Sequence, residues 1–399
     1  MATANTDTSR LPLWVTGAIP VVIIAALVAL FFAFNPIATL REVPPVEALS
    51  FERTILRDGM IELQVRNDGP DSVVISQVLV NDSYRSFTAT DARLGRLEGA
   101  TIRIPYPWED GLPVVIGLVT STGLVLEHEI EVAALTPEAD AATLGTLALL
   151  GLYIGVIPVA IGLLWFPSLR QASRKWLLFF LAFTVGLLVF LLVDTVSEGL
   201  ELAGETGAAL DGLGLFSMGV LVAIGGLVFL ESALGRRRDA GAARRVAPLG
   251  GLSLAYLIAA GIGLHNMGEG LAVGAALATG EVALGTFLIV GFALHNTTEG
   301  LAIVAPLGRE ERRPSLWHFV ALGSLAGAPA IVGAWLGGFA FSAAYAALAF
   351  GLAAGAIAQV VWQIGRGLFD DEGGIRGLTA MGLLAGFAFM YLTGLLVTA

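Results

Sequence analysis

The chain has 399 residues, 56% hydrophobic and 14% charged, with a mean hydropathy of +0.81. So low a charged fraction excludes an ordinary soluble globular protein, in which about a quarter of residues are charged, and the hydrophobicity excludes a disordered chain. A net charge of −11 argues against a nucleic-acid partner, which requires a basic footprint. The absence of cysteine removes disulfides, iron–sulfur clusters, thiolate zinc sites and c-type haem attachment. Any metal chemistry therefore falls to nitrogen and oxygen ligands, with four histidines to supply the nitrogen.

Residues 1–40 contain an uncharged run from 11 to 40. It is longer than the apolar core of a signal peptide and lacks a convincing small-residue cleavage site, so an uncleaved membrane anchor is expected. Residues 41–140 hold 8 of the 22 basic and 17 of the 33 acidic residues, a local net of −9. Here the pattern is β: Met60–Arg66 alternates polar and apolar and ends at the turn signal Asn67-Asp68-Gly69-Pro70. Further strands are expected at 73–80, 101–104, 114–120 and 124–132, together a small immunoglobulin-like sandwich. His128 lies between Glu127 and Glu129. Adjacent strand residues point to opposite faces, so a solvated strand is expected there rather than a cation trap.

From 141 to 399 the chain is a series of apolar runs divided by short charged loops. About 20 apolar residues span a bilayer core. The runs 141–169, 176–193, 212–230, 246–268, 282–298, 316–365 (long enough for two helices, turning near 337–342) and 377–399 predict eight membrane helices. With the anchor the count is nine. The basic residues Arg170, Arg174, Lys175, Arg236–Arg238, Arg244, Arg245, Arg309, Arg312, Arg313, Arg366 and Arg376 all fall in alternate loops. The positive-inside rule makes those loops cytoplasmic. The N-terminus is then inside, and residues 41–140 and the C-terminus are outside a cell membrane crossed many times.

Two glutamates interrupt apolar runs, each in a copy of one pattern. The first copy is Leu264-His265-Asn266-Met267-Gly268-Glu269-Gly270-Leu271-Ala272-Val273, and the second is Leu294-His295-Asn296-Thr297-Thr298-Glu299-Gly300-Leu301-Ala302-Ile303. Residues i and i+4 share a helix face, so His265 is expected beside Glu269 and His295 beside Glu299. Asn266 and Asn296 sit about a quarter-turn away. The helices are consecutive and antiparallel, joined near Gly280-Glu281, so both motifs meet at mid-membrane. A charged carboxylate there costs at least ~2.5–3.5 kcal/mol, and no Lys or Arg lies at that depth. A divalent cation is the simplest partner, since two imidazoles and two carboxylates make a four-ligand set with two negative charges.

Paired His-Asn-x-x-Glu-Gly motifs on the fourth and fifth helices of an eight-helix block resemble the ZIP (Zrt/Irt-like) divalent-metal transporters, nearest their GufA-like and ZupT-like branch. The likeness covers residues 141–399 and leaves out the anchor and the β segment. It implies a primary metal site of His265, Glu269, His295 and Glu299, with Asn266 and Asn296 contributing to a neighbouring second site. It also implies that helices 1–3 and 6–8 of the block are inverted repeats, and that transport proceeds by alternating access. The sequence departs from the family pattern in three places. Gly268 and Thr298 stand where proline commonly precedes the motif glutamate. Ala328-Pro329 replaces Glu-Pro, which removes a usual second-site ligand and predicts a single ion. The loop after the third helix is rich in Arg rather than His.

The expected function is uptake of a divalent metal, zinc or a similar first-row ion, with no enzymatic activity and no catalytic cofactor. The expected partners are the metal and the lipid bilayer, with no nucleic acid and with a homodimer left open. An intramembrane metal-dependent hydrolase and a metal-responsive receptor are the alternatives. Asp194 and Glu198, one turn apart near the outer end of the second helix, are expected either to concentrate cations or to be solvated charge. Gln359 and Gln363 either line the path or pack helices, and His318 is expected at a membrane interface.

Overall fold

The structure, a computed structural model, describes residues 13–34, 45–130, 132–238, 251–278, 282–310, 312–369 and 376–398. Its contacts divide it into two units, Met1–Val46 and Glu47–Ala399. The first holds α1 (Leu13–Phe34), an apolar helix with Pro20 inside it. The remainder of the expected anchor, 1–12 and 35–40, lies outside the described residues.

The second unit begins with two small antiparallel sheets. One has the order β1 (Leu49–Arg57), β2 (Met60–Asn67), β7 (Gly99–Pro105) and β5 (Thr88–Ala89). The other has β4 (Ser83–Arg85), β3 (Val73–Val80), β8 (Val114–Thr120) and β9 (Val125–Ile130), with β6 (Arg93–Leu94) paired to β3. The alternation in β2 buries every second side chain, and the register sets Ile61 opposite Ile104 and Leu63 opposite Ile102. These residues share one core with Ile75, Val78, Val80, Ile116 and Leu118 of the other sheet. The turn after β2 is held by buried Asn67, whose Nδ2 donates to Asp71 O (2.7 Å) and Leu94 O (2.9 Å) while its Oδ1 accepts from Gly69 N (2.9 Å). Asp68 is thereby free to reach outward, and its Oδ1 accepts from Ala209 N at 2.8 Å. Arg53 of β1 donates to the carbonyl of Phe339. Both bonds tie the sheets to one end of the helical block.

His128 is half-buried in β9. Its ring stacks on Phe51 (4.7 Å between centroids), and its Nε2 is 2.8 Å from Thr54 Oγ1. The imidazole is thus held in the sheet, while Glu127 and Glu129 are exposed on the other face, as strand alternation requires.

The first long helical segment opens at Asp140, whose carboxylate accepts from Thr143 N at 2.7 Å. That backbone bond holds the carboxyl below its ordinary range. The segment runs through α2 (Ala141–Gly151), a π turn (Leu152–Val156), α3 (Ile157–Leu163) and α4 (Phe166–Gln171). Then come α5 (Arg174–Glu205), a single 3-10 turn (Ala208–Leu210), α6 (Gly212–Arg238), α7 (Gly251–Ala278), α8 (Val282–Val304) and a further 3-10 turn (Ala305–Arg309). The sixth segment is broken into α9 (Leu316–Gly327) and α10 (Pro329–Ala340), because Pro329 cannot continue the helix. It is followed by α11 (Ala343–Phe369) and α12 (Arg376–Thr398).

Seven of these segments are long and apolar enough to cross a membrane, which suggests a multi-pass membrane protein. The fourth, α7, has 28 residues and is not among the seven. His265, Asn266, Glu269 and its glycines lower its hydropathy, and it lies enclosed by α8, α9, α10 and α11 instead of relying on lipid. The joint near Gly280-Glu281 and the arginines Arg244 and Arg245 lie outside the described residues. The other expected turn is found at Phe341-Ser342.

Close pairing of helices organises the block: α7 with α10, α3 with α8, α5 with α12 and α6 with α11. Backbones touch where glycines meet. A Cβ on Gly333 or Gly337 would strike the carbonyl of Met267 or Leu271 on α7, and one on Gly162 would strike Thr297 of α8. Gly333→Ala is therefore expected to push α10 off α7 and destabilise the protein by about 1–3 kcal/mol, read as a lower Tm in detergent. A second expectation concerns His128, whose pKa is lowered by burial. As pH falls below about 6.5, the unfolded chain gains a proton that the folded ring resists, so stability is lost with acid. His128→Gln should make Tm fall less steeply than in the wild type between about pH 7 and pH 5.

Candidate metal centre

The two motifs meet inside the helical block. His265, Asn266 and Glu269 on α7 and His295, Asn296 and Glu299 on α8 are all buried. One ligand atom each from His265, His295 and Glu299 lies within 4.8 Å of the others. Among the described residues, this is the group of histidine and carboxylate side chains placed to hold a metal ion.

The i, i+4 expectation holds for His265 beside Glu269 and yields no hydrogen bond between His295 and Glu299. Glu269 is served mainly from the other helix: His295 Nε2 donates to its Oε1, and Asn296 Nδ2 donates to its Oε2 at 2.7 Å. His265 Nε2 stands 3.3 Å from the same Oε1 without a hydrogen bond of its own. Glu299, expected beside His295, has no hydrogen-bond partner on either oxygen. The reason is geometric. Antiparallel helices in contact bring the ends of long side chains together across the interface as readily as along one face, and the glutamates reach farthest.

Helix irregularities orient the asparagines. Pro158 has no N–H to offer Ile154 O, and the chain there winds as a π turn. Asn296 Nδ2 takes that carbonyl at 2.9 Å. At the break before Pro329, Asn266 Nδ2 takes Ala326 O at 3.1 Å. With both amide nitrogens committed to backbone, Oδ1 of each asparagine is buried without a partner. Five buried atoms thus lack partners in this one place: His265 Nε2, Asn266 Oδ1, Asn296 Oδ1 and the two Glu299 oxygens. The four oxygens are acceptors by chemistry, and a cation satisfies several acceptors at once.

A cavity of about 380 Å³ reaches the site from the end where the sheets dock, lined by Asp194, Glu198, Phe292, Phe350 and Tyr391 together with His265, Glu269 and His295. Asp194 and Glu198 therefore face the approach to the ligands. Toward the other end, Ile258, Ile262 and the run from Leu301 to Ala305 are buried in the largest apolar cluster. Gln359 is buried. His318 Nδ1 is 2.9 Å from Tyr256 OH, joining α9 to α7.

Three contributors had only a faint signature in the sequence. The carbonyls of Ile154 and Ala326 are marked by Pro158 and Pro329. Thr195 Oγ1 lies 2.9 Å from His265 Nδ1, and its only mark in the sequence is its place between Asp194 and Glu198.

No protein-family model matches this chain, and no curated protein matches it significantly.

The two glutamates should respond oppositely to neutralisation. In metal-free buffer, Glu269→Gln loses charge-assisted bonds and is expected to cost about 1–3 kcal/mol. Glu299→Gln removes a carboxylate that has no protein partner, and Tm should stay level or rise. Thermal unfolding in the presence of a chelator compares them.

Proposed function

We propose that this protein carries a divalent metal ion across a membrane, and that it is a transporter of the ZIP kind rather than an enzyme. The observation that carries the reading is the buried convergence of His265, His295 and Glu299, with His265 Nε2 and both Glu299 oxygens lacking any hydrogen-bond partner in a low-dielectric interior. Leaving such groups unpaired is costly, and a divalent ion compensates all of them together. Imidazole and oxygen ligands suit zinc and other first-row divalent ions, with zinc the first to test.

The surroundings support passage over retention. The ligands have an acid-lined cavity on one side and a dry apolar cluster on the other, which is how a carrier open to one side is built. The pairing of helices also agrees with inverted repeats. Exchanging the first three segments of the block with the last three, and α7 with α8, turns the α7–α10 pair into α8–α3 and the α5–α12 pair into α11–α6. The asparagine bonds obey the same exchange, Asn266 to the sixth segment and Asn296 to the first.

In this reading α7 spans the membrane with the other seven, and α1 anchors the N-terminus from the cytoplasmic side. The sheets form a small immunoglobulin-like sandwich outside the cell, over the loops after α5 and α10. Metal enters past Asp194 and Glu198, whose charge raises the local cation concentration.

Reconstituted into liposomes, the wild-type chain is expected to accumulate zinc against a trapped fluorescent chelator. His265→Ala and Glu299→Ala should reduce uptake to that of empty vesicles. Undiminished uptake in both variants would sink the proposal.

A further inference from the structure

We infer that Thr195, on a third helix, is a positioning residue that selects the tautomer of His265 and so prepares its Nε2 to bind metal; this rests on the metal-site reading above. The argument follows from proton counting. Thr195 has one hydroxyl proton, and its Oγ1 lies 2.7 Å from Leu191 O. That carbonyl can only accept, so the hydroxyl donates there, in the back-bond common to helical threonines.

The same oxygen is 2.9 Å from His265 Nδ1. Its proton is already committed, so it can only accept from the ring, and Nδ1 must be the protonated nitrogen. In the neutral ring, the form that can bind a metal, Nε2 then carries a lone pair. It is the atom that lies buried, without a hydrogen bond and 3.3 Å from Glu269 Oε1. Two electron-rich atoms facing each other at that separation repel, unless a cation lies between them or near both. Fixing one ring nitrogen by hydrogen bond so that the other presents its lone pair is how proteins prepare a histidine for metal, and loss of such a partner typically lowers affinity about 10–100-fold.

Position adds a consequence. Thr195 and Leu191 belong to α5, which packs mainly on α12 and α11, whereas His265 belongs to α7, which packs mainly on α10. The bond therefore crosses between separately paired helices. A shift of α5 along α7 would withdraw the acceptor from Nδ1, so affinity for the ion is tied to the relative placement of these helices.

The test uses the full-length chain in detergent, titrated with zinc against a chelating dye, with Thr195→Val and Thr195→Ser beside the wild type. Valine keeps the shape and removes the acceptor, while serine keeps the acceptor. The expected result is a zinc Kd about 10–100-fold weaker for valine and close to wild type for serine, with similar Tm values in metal-free buffer. Equal affinity in the valine variant would overturn the inference, and so would failure of serine to restore it. If valine lowers Tm as well, recovery of affinity in serine still decides for the hydroxyl. A wild-type chain that binds no zinc would overturn the metal-site reading itself, and this inference with it.

Discussion

Burying two carboxylates in an apolar helix bundle imposes a constraint that the rest of the structure serves. Burial removes them from bulk water, so each needs a donor or a cation within reach. Glu269 obtains donors from His295 and Asn296 on the opposite helix. Glu299 has none from the protein. That asymmetry between two copies of one motif leaves an incomplete charge-compensation scheme, and the same side chains that leave it incomplete are good ligands for a divalent ion.

Satisfying this constraint requires very close helices, which explains where the glycines fall. Where α7 meets α10 and α3 meets α8, glycines admit backbone against backbone. Such contact brings the carbonyls of Ile154 and Ala326 within reach of Asn296 and Asn266. Prolines are usually disruptive in a membrane helix. Here Pro158 and Pro329 each lie beside a carbonyl that an asparagine from the neighbouring helix then satisfies. Each amide nitrogen is engaged in that structural task, that of Asn296 donating to Glu269 as well, and their oxygens are left buried without a partner. Packing and site chemistry are thus one arrangement seen from two sides.

The sheets contribute differently. Their core is self-contained, and among the described residues two polar bonds link them to the helices, one from Arg53 to Phe339 and one from Ala209 to Asp68. Both fall at the end of the block from which the cavity descends. The acidic residues of the sheets therefore lie on the same side as Asp194 and Glu198.

Much of this was legible in sequence, because the relevant rules are local. Alternation in Met60–Asn67 and the turn at Asn67-Asp68-Gly69-Pro70 define a strand and its end from backbone preference alone. The long apolar runs define helices because a bilayer-length segment leaves the backbone no other way to satisfy its hydrogen bonds. The repeated His-Asn-x-x-Glu marks the site because ionisable groups are costly in such runs. The helix α7 was readable from its own uncharged run 246–268, and the structure has a 28-residue helix there whose polar residues dilute its hydropathy and keep it out of the seven apolar spans. Sequence could not decide which side chain pairs with which. Partners along one helix follow from a period of about 3.6 residues, but those of His295, Asn296 and Thr195 stand on other helices. Their meeting depends on interhelical distance and rotation, which glycines, a π turn and a proline break set together. The sequence by itself determined which groups would be buried and what chemistry they could perform. Only the tertiary structure decided that Glu269 is satisfied, that Glu299 is not, and that a threonine from a third helix orients His265, because hydrogen bonds of 2.7–2.9 Å are resolved by packing and not by spacing along the chain.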